Sequence, residues 1–202
     1  MKYQAAFWDF AGVWSKDWFY KSLETSHPDV WKFIQTKIWG PNDDHRVEKW
    51  VRGELTTNDI NRIISQGTGI DFEFLTKTFH DDFASMTMET RHVPIVMALK
   101  QKGLKVGMIT DNMKEFSSIT VPKHNLLELF DGHVYNSFDY RMLKAEGLLN
   151  LAVEQTNAGY NTSLLIDDSP RARAAFEARG GHTYSYTTFE IFNDWANQNL
   201  LI

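Results

Sequence analysis

Four short apolar runs, each broken off by an oxygen-bearing side chain, constrain this chain more than any other feature. Residues 3–8 stop at Asp9, 104–109 at Thr110, 133–135 at Asn136-Ser137, and 163–166 at Asp167-Asp168. Runs of that length suit strands. Between and after the later ones lie helix-length segments with their own punctuation. Residues 93–102 carry Pro94 in the first turn and Gly103 at the end. A helix is expected over part of 113–129 and another over 146–156. Ser169 is a good N-cap with Pro170 at the first helical position, and that helix closes at Gly180-Gly181. A last strand over 182–186 and a helix over 189–197 complete the alternation. Strands and helices in alternation imply a parallel sheet covered on both faces. The expected fold class is therefore α/β, a three-layer Rossmann-like parallel sheet, with its ligand beyond the carboxyl ends of the strands.

Residues 15–87 read differently, as helix throughout. Pro28-Asp29 precede an amphipathic stretch from Val30 that ends near Gly40-Pro41, and residues 44–52 form a second stretch stopping at Gly53. Thr57 is expected to cap 58–66, which stops at Gly67 and Gly69, and Asp71 to cap 72–83. This predicts an inserted α-helical domain over 15–87 within a core made of 1–14 and 88–202.

Composition narrows the function classes. The 202 residues suffice for one α/β domain with an insertion, and 43% hydrophobic with 23% charged residues excludes a disordered or collagen-like chain. A net charge of -5 with no run of Lys or Arg argues against nucleic acid as partner. The absence of cysteine excludes disulfides and zinc-thiolate sites. The start fits neither a signal peptide nor a membrane span, so a cytoplasmic protein, monomeric or homodimeric, without a membrane partner is expected.

Parallel alignment gathers Asp9, Asp167, Asp168, Thr110 and, past Ser137, Lys144 at one sheet edge. Three carboxylates at that density repel one another unless a cation sits among them, and an oxygen-only ligand set favours magnesium. The Lys and Thr donors suit phosphoryl oxygens, which also bridge to such a metal. An aspartate there can attack phosphorus to form an aspartyl phosphate that water cleaves. A small phosphorylated substrate is the expected partner.

Those residues also resemble a family. Phe7-Trp8-Asp9-Phe10-Ala11-Gly12-Val13 is similar to the first motif of the haloacid dehalogenase (HAD) superfamily, and Gly107-Met108-Ile109-Thr110-Asp111-Asn112 to the second. Asn136-Ser137 through Lys144 resembles the third motif. Leu164-Leu165-Ile166-Asp167-Asp168-Ser169 resembles the acidic fourth. The helical segment falls between motifs one and two, where one phosphatase-type branch carries a helical cap, and Gly53-Glu54-Leu55-Thr56 is similar to a turn of that cap. The resemblance implies that Asp9 is nucleophile and magnesium ligand, with the backbone carbonyl of Ala11, Asp168 and Asp167 at or next to the metal. It implies that Thr110 and Lys144 hold phosphoryl oxygens in catalysis, with Asp111 and Asn112 joining them in substrate binding.

Alone, each of these residues has a plainer reading: Asp9 and Thr110 as strand-end polar groups, Lys144 as a solvated lysine, Asp167 and Asp168 as acids favoured at a helix N-terminus. Four motifs in order outweigh that. For His45, Arg46 and Arg52 the plain reading prevails. Trp14, Trp18, Trp31, Trp39 and Trp50 are expected mostly to pack the helical segment.

One departure matters. Related phosphatases place a second aspartate two residues after the nucleophile as general acid and base, and here that position is Ala11. The alternatives are a phosphate-binding protein with little turnover, or a 2-haloacid dehalogenase, whose halide needs no acid. Dehalogenases of the superfamily lack the acidic pair of the fourth motif, which Asp167-Asp168 supplies here.

Overall fold

The structure, a computed structural model, describes residues 2–40 and 45–201. Five strands form one parallel sheet: β1 (Ala5–Trp8), β2 (Lys105–Thr110), β3 (Val134–Asn136), β4 (Ser163–Asp167) and β5 (His182–Ser185). Their order is β3-β2-β1-β4-β5, so β1 lies centrally with β2 and β4 on its two sides. The register pairs Trp8 with Met108 on one side and with Ile166 on the other. The residue following β1 is thereby level with the ends of both neighbours.

Twelve α-helices accompany the sheet among the described residues. α1 (Leu23–Ser26), α2 (Pro28–Phe33), α3 (Arg46–Val51), α4 (Thr57–Thr68) and α5 (Phe72–Ser85) lie between β1 and β2, followed by α6 (His92–Gln101). Then come α7 (Val121–Lys123), α8 (Leu126–Leu129), α9 (Ser137–Tyr140), α10 (Leu149–Gln155), α11 (Pro170–Glu177) and α12 (Phe189–Asn199). Side-chain alternation in β1 divides the core. Ala5 and Phe7 face α10 and α11 with Leu149, Ala152 and Phe176. Ala6 and Trp8 face α6 and α12 with Val96, Leu99 and Phe192. That is the three-layer arrangement expected. No helix of the described residues is long and apolar enough to cross a membrane.

The segment between β1 and β2 is helical, as its sequence predicts, and its core is continuous with one face of the sheet. Tyr20, Trp50, Ile60, Ile64, Leu75 and Phe79 fill it. Inside, the Tyr20 hydroxyl donates to Asn61 Oδ1 at 2.5 Å, which satisfies two polar groups that burial would otherwise penalise.

Several local expectations shift. Thr56, not Thr57, caps α4: its hydroxyl accepts from Asp59 N–H while Asp59 Oδ2 accepts from Thr56 N–H at 2.9 Å, a reciprocal capping box. Thr57 instead sits inside the helix, bonded to Trp50 Nε1 and Glu115. Asp71 caps α5 as expected. The expected 44–52 helix begins at Arg46 after a left-handed His45; the expected boundary residues Pro41 and Asp44 lie outside the described residues. The single helix expected over part of 113–129 is broken. Phe116–Thr120 forms a widened π-turn, Pro122 follows at the start of α7, and Asn125 turns left-handed (φ 51°) before α8. The 146–156 helix starts earlier, as a π-turn over Lys144–Leu148 that Glu146 caps by accepting from Leu143 N–H at 2.9 Å.

Candidate active site

The chain leaves β1 through a tight turn. Gly12 N–H donates to Ser15 O at 2.7 Å and Ser15 N–H to Phe10 O at 3.0 Å, with Gly12 in the left-handed region (φ 79°). A Cβ on Gly12 would lie 2.2 Å from Asp168 Oδ2, so only glycine lets the β4 loop close against this turn. Asp9 is buried at the centre of that closure. Its Oδ1 accepts from Phe10 N–H at 2.7 Å, and its Oδ2 accepts from Lys144 Nζ at 2.7 Å. The same ammonium donates to Asp167 Oδ2 at 2.8 Å. Asp167 Oδ1 in turn accepts from Ser169 N–H at 2.8 Å, at the start of α11.

Asp9, Asp167 and Asp168 can each offer a carboxylate oxygen within 4.8 Å of the other two. Asp9 and Asp167 are buried and Asp168 is open to the cavity described below. Burial pushes the Asp9 carboxyl up to about 7; Lys144 pulls it down and Asp167 pushes it further up. Burial also raises Asp168, and the Asp167 charge adds to this. Burial opposes the Lys144 charge, but Asp9, Asp167 and Asp111 overcome it and hold that ammonium above the ordinary lysine range. The site thus holds one internal cation for more than one carboxylate. Such a donor set fits a hard divalent cation, which would supply the missing positive charge.

Thr110, at the end of β2, is fully buried, and its Oγ1 has no hydrogen-bond partner among the described residues. A buried hydroxyl without a partner is costly unless a ligand completes it. The two residues after it diverge. Asp111 Oδ1 accepts from the Lys144 backbone N–H at 2.8 Å, which seats the loop carrying that lysine. Asn112 is buried, donates its N–H to Ser137 Oγ at 3.0 Å, and lines the cavity. Ser137 Oγ also reaches Val51 O at 2.7 Å, tying the end of β3 to α3.

A cavity of about 480 Å³ opens beside Ala11, Gly12 and Asp168. Its walls include Phe10, Trp18, Phe19, Met86 and Tyr186. Of the five tryptophans near the helical segment, Trp18 is the one on this wall and the most exposed; Trp14 and Trp50 are fully buried in the core. Sequence reasoning missed that distinction, and it missed Arg173. The Arg173 guanidinium donates to Asp167 O at 2.9 Å and Asp168 O at 2.7 Å, holding the acidic loop from the following helix. An arginine one turn into the helix after paired acids was the available signal. Arg52 pairs with Glu146 and Glu54, Arg46 donates to Lys37 O, and His45 lies 3.7 Å from Glu48, in line with the plain reading of all three.

No protein-family model matches the chain, and no curated protein matches it in sequence. Solved structures do. A HAD family enzyme from Bacteroides thetaiotaomicron is 16% identical with a TM-score of 0.74, over 98% of each chain. A predicted HAD-like family hydrolase from Porphyromonas gingivalis is also 16% identical at a TM-score of 0.74, over 99% of this chain and 98% of that one. The Bacteroides enzyme has also been solved in complex with magnesium and inorganic phosphate, at 15% identity, a TM-score of 0.69, and 98% of this chain and 99% of that one. An L-2-haloacid dehalogenase from Xanthobacter autotrophicus, with chloropropionic acid covalently bound, is 14% identical at a TM-score of 0.64, over 99% and 84%. The fold is therefore HAD-like, shared by hydrolases and dehalogenases alike.

Proposed function

We propose that the protein is a magnesium-dependent hydrolase of small phosphate monoesters, with Asp9 as nucleophile. The observation that carries this reading is the buried Lys144 ammonium shared by Asp9 and Asp167, with the unpartnered Thr110 hydroxyl on the neighbouring strand. Asp9, the Ala11 carbonyl, Asp167 and Asp168 would hold magnesium, which when bound offsets the carboxylate charge and polarises the phosphoryl group. The structures in complex with magnesium and phosphate support the choice of metal and ligand by likeness of fold.

The chain's own residues divide the remaining work. Phe10 N–H fixes one oxygen of Asp9 and Lys144 the other, so the carboxylate is aimed before substrate arrives. Thr110 Oγ1 and Lys144 Nζ bind phosphoryl oxygens as charge builds on them. Asp111, by taking the Lys144 backbone N–H, positions that lysine, and Arg173 positions the acidic pair. Residues 15–87 act as a cap, excluding water where Trp18, Phe19 and Met86 face the site.

A second reading has one observation in its favour. Ala11 offers no proton-transferring group, so the protein would bind a phosphorylated ligand with little turnover. The test is phosphate release from aryl phosphates and a metabolite panel, with and without magnesium. Metal-dependent release abolished by Asp9→Asn supports the hydrolase. Phosphate binding without turnover on any substrate supports the binder. Chloride release from 2-chloroacids without metal would make the protein a dehalogenase instead.

A further inference from the structure

Resting on the hydrolase reading, we infer that the substrate is an aryl phosphate, a phosphate ester of a flat apolar group whose oxygen leaves as a phenolate without being protonated. Two independent features point there: the wall of the cavity, and the methyl group of Ala11 beside the carboxylate cluster, with the Asp17 carboxylate and the Tyr186 hydroxyl tied up elsewhere.

The wall beside Ala11 and Asp168 is built from Phe10, Trp18, Phe19, Met86 and Tyr186. The cavity volume of about 480 Å³ is well beyond what a phosphate alone fills. Trp18 is 54% exposed and touches Trp39 at a ring separation of 5.5 Å, leaving ring surface free for a second aromatic. Polar groups do line the cavity, Ser15, Asn112 and Thr187 among them, but most of the surface it exposes is apolar, which suits a ring better than a sugar's hydroxyls.

The titratable side chains lining the cavity are Lys16, Asp17, Asp168 and Tyr186. The Asp17 carboxylate accepts from Thr87 N–H at 2.7 Å and from the Thr87 hydroxyl at 2.6 Å. Burial opposes that charge, but the two bonds hold its carboxyl below the usual range, so it carries no proton to give. The Lys16 ammonium donates to Thr187 O at 3.2 Å. The Tyr186 hydroxyl lies 3.1 Å from His92 Nε2 in the core. Asp168 stands against Gly12 within the carboxylate cluster. Ala11, where related phosphatases hold their acid, contributes a methyl group. With a methyl group in the place of that acid, the leaving oxygen departs as an anion in this reading.

The chemistry balances on that basis. An Asp9 carboxylate oxygen forms a bond to phosphorus as the bond from phosphorus to the aryl oxygen breaks, and that electron pair leaves with the phenolate. Water then attacks the aspartyl phosphate and restores the Asp9 carboxylate. One proton of that water stays with the oxygen now on phosphorus and the other passes to a second phosphate oxygen, giving dihydrogen phosphate.

The experiment compares 4-nitrophenyl, phenyl and benzyl phosphate with the magnesium-loaded protein. Benzyl phosphate keeps the ring but has a poor leaving group. The expected kcat/KM falls steeply along the series, by ~10²–10⁴-fold from the first to the last. Ala11→Asp should raise benzyl phosphate turnover and flatten the series. A second readout needs no turnover: calorimetry of phenylphosphonate against methylphosphonate. Phenylphosphonate should bind about tenfold tighter, and Trp18→Ala should remove most of that margin. Equal binding of the two phosphonates, or benzyl phosphate cleaved as fast as 4-nitrophenyl phosphate, overturns the inference while the hydrolase reading stands. Absence of turnover on every ester overturns both.

Discussion

The molecule contains two sets of ion pairs, and they differ in almost every physical respect. At the sheet edge, Lys144 lies between Asp9 and Asp167 with all three side chains nearly or fully removed from water. Between the helical insertion and the core, Arg52 pairs with Glu146 at 2.5 Å and Arg171 with Glu48 at 2.6 Å, all partly exposed. The first set is expensive to bury and gains stability only because each charge has partners. The second costs little and contributes little. The buried set is thus a poor way to stabilise a fold, whereas the exposed set joins two parts of the molecule at little cost.

The largest expected effect comes from breaking the buried set on its cationic side. Lys144→Met leaves Asp9 and Asp167 uncompensated, which costs roughly 3–5 kcal/mol. Activity should vanish with the ammonium proposed to bind the phosphoryl oxygens. The stability loss should also depend on pH in a definite direction. Without the ammonium the Asp9 carboxyl, which burial raises and Lys144 pulls down, climbs further above its unfolded value, so the folded state binds more protons and the variant weakens as pH rises. Urea unfolding at pH 5 and pH 8 should show the larger deficit at pH 8. An equal deficit at both would mean that the Asp9 carboxyl does not depend on Lys144.

A buried group without a counter-ion sharpens the contrast. His92 is fully buried at the root of the insertion, among Trp14, Tyr186, Phe189 and Phe192. Burial pushes its pKa down to about 4, with the Glu89 charge opposing. Lys144 keeps its charge because carboxylates surround it; His92 gives its charge up. Between pH 6.5 and about 4 the unfolded chain is protonated at this position and the folded one is not. Stability is therefore fully present above pH 6.5 and lost as pH falls through that window, by on the order of 3 kcal/mol in all. Thermal unfolding of the wild type should show that slope, and His92→Phe should lose it.

A smaller effect tests the geometry around the buried set rather than its charges. Gly12→Ala places a methyl group 2.2 Å from Asp168 Oδ2 in a left-handed backbone position. The strain costs about 1–2 kcal/mol, and the carboxylate must move. Magnesium affinity, read by calorimetry, should fall more than the melting temperature does. A variant that melts earlier but binds magnesium normally would place the metal elsewhere.

The same contrast explains what could be read from the sequence. A strand ends where its apolar run ends, and parallel pairing then carries Asp9, Thr110 and Asp167 to one edge without any long-range information. Lys144 is legible through the resemblance of residues 137–144 to the third motif, and the structure brings its Nζ to Asp9. The breaks at Pro122 and Asn125 carried local signals that apolar periodicity concealed. Thr56 rather than Thr57 as the α4 cap was legible in its spacing to Asp59. The cavity wall was not legible, because Trp18, Met86 and Tyr186 come from distant segments with no shared pattern. Nor were the surface pairs, since nothing near Arg52 in sequence points to Glu146, 94 residues away.

The smallest effect on stability comes from the exposed set, and it is the one that tests what these pairs are for. Arg52→Ala removes contacts to Glu54 and to both oxygens of Glu146. Its cost in folding should be about 0–1 kcal/mol, and weaker still in high salt. Glu146 also caps the Lys144 turn through Leu143 N–H, and that bond survives the substitution. What changes is the hold of α3 on the core, which then rests on Ser137 to Val51 O and on Arg171 with Glu48. Amide exchange should therefore quicken over Arg46–Val51 while the β1 and β4 amides stay protected. Faster exchange at the strands as well would mean that the exposed pair supports the site itself, and the division between the two sets would fail.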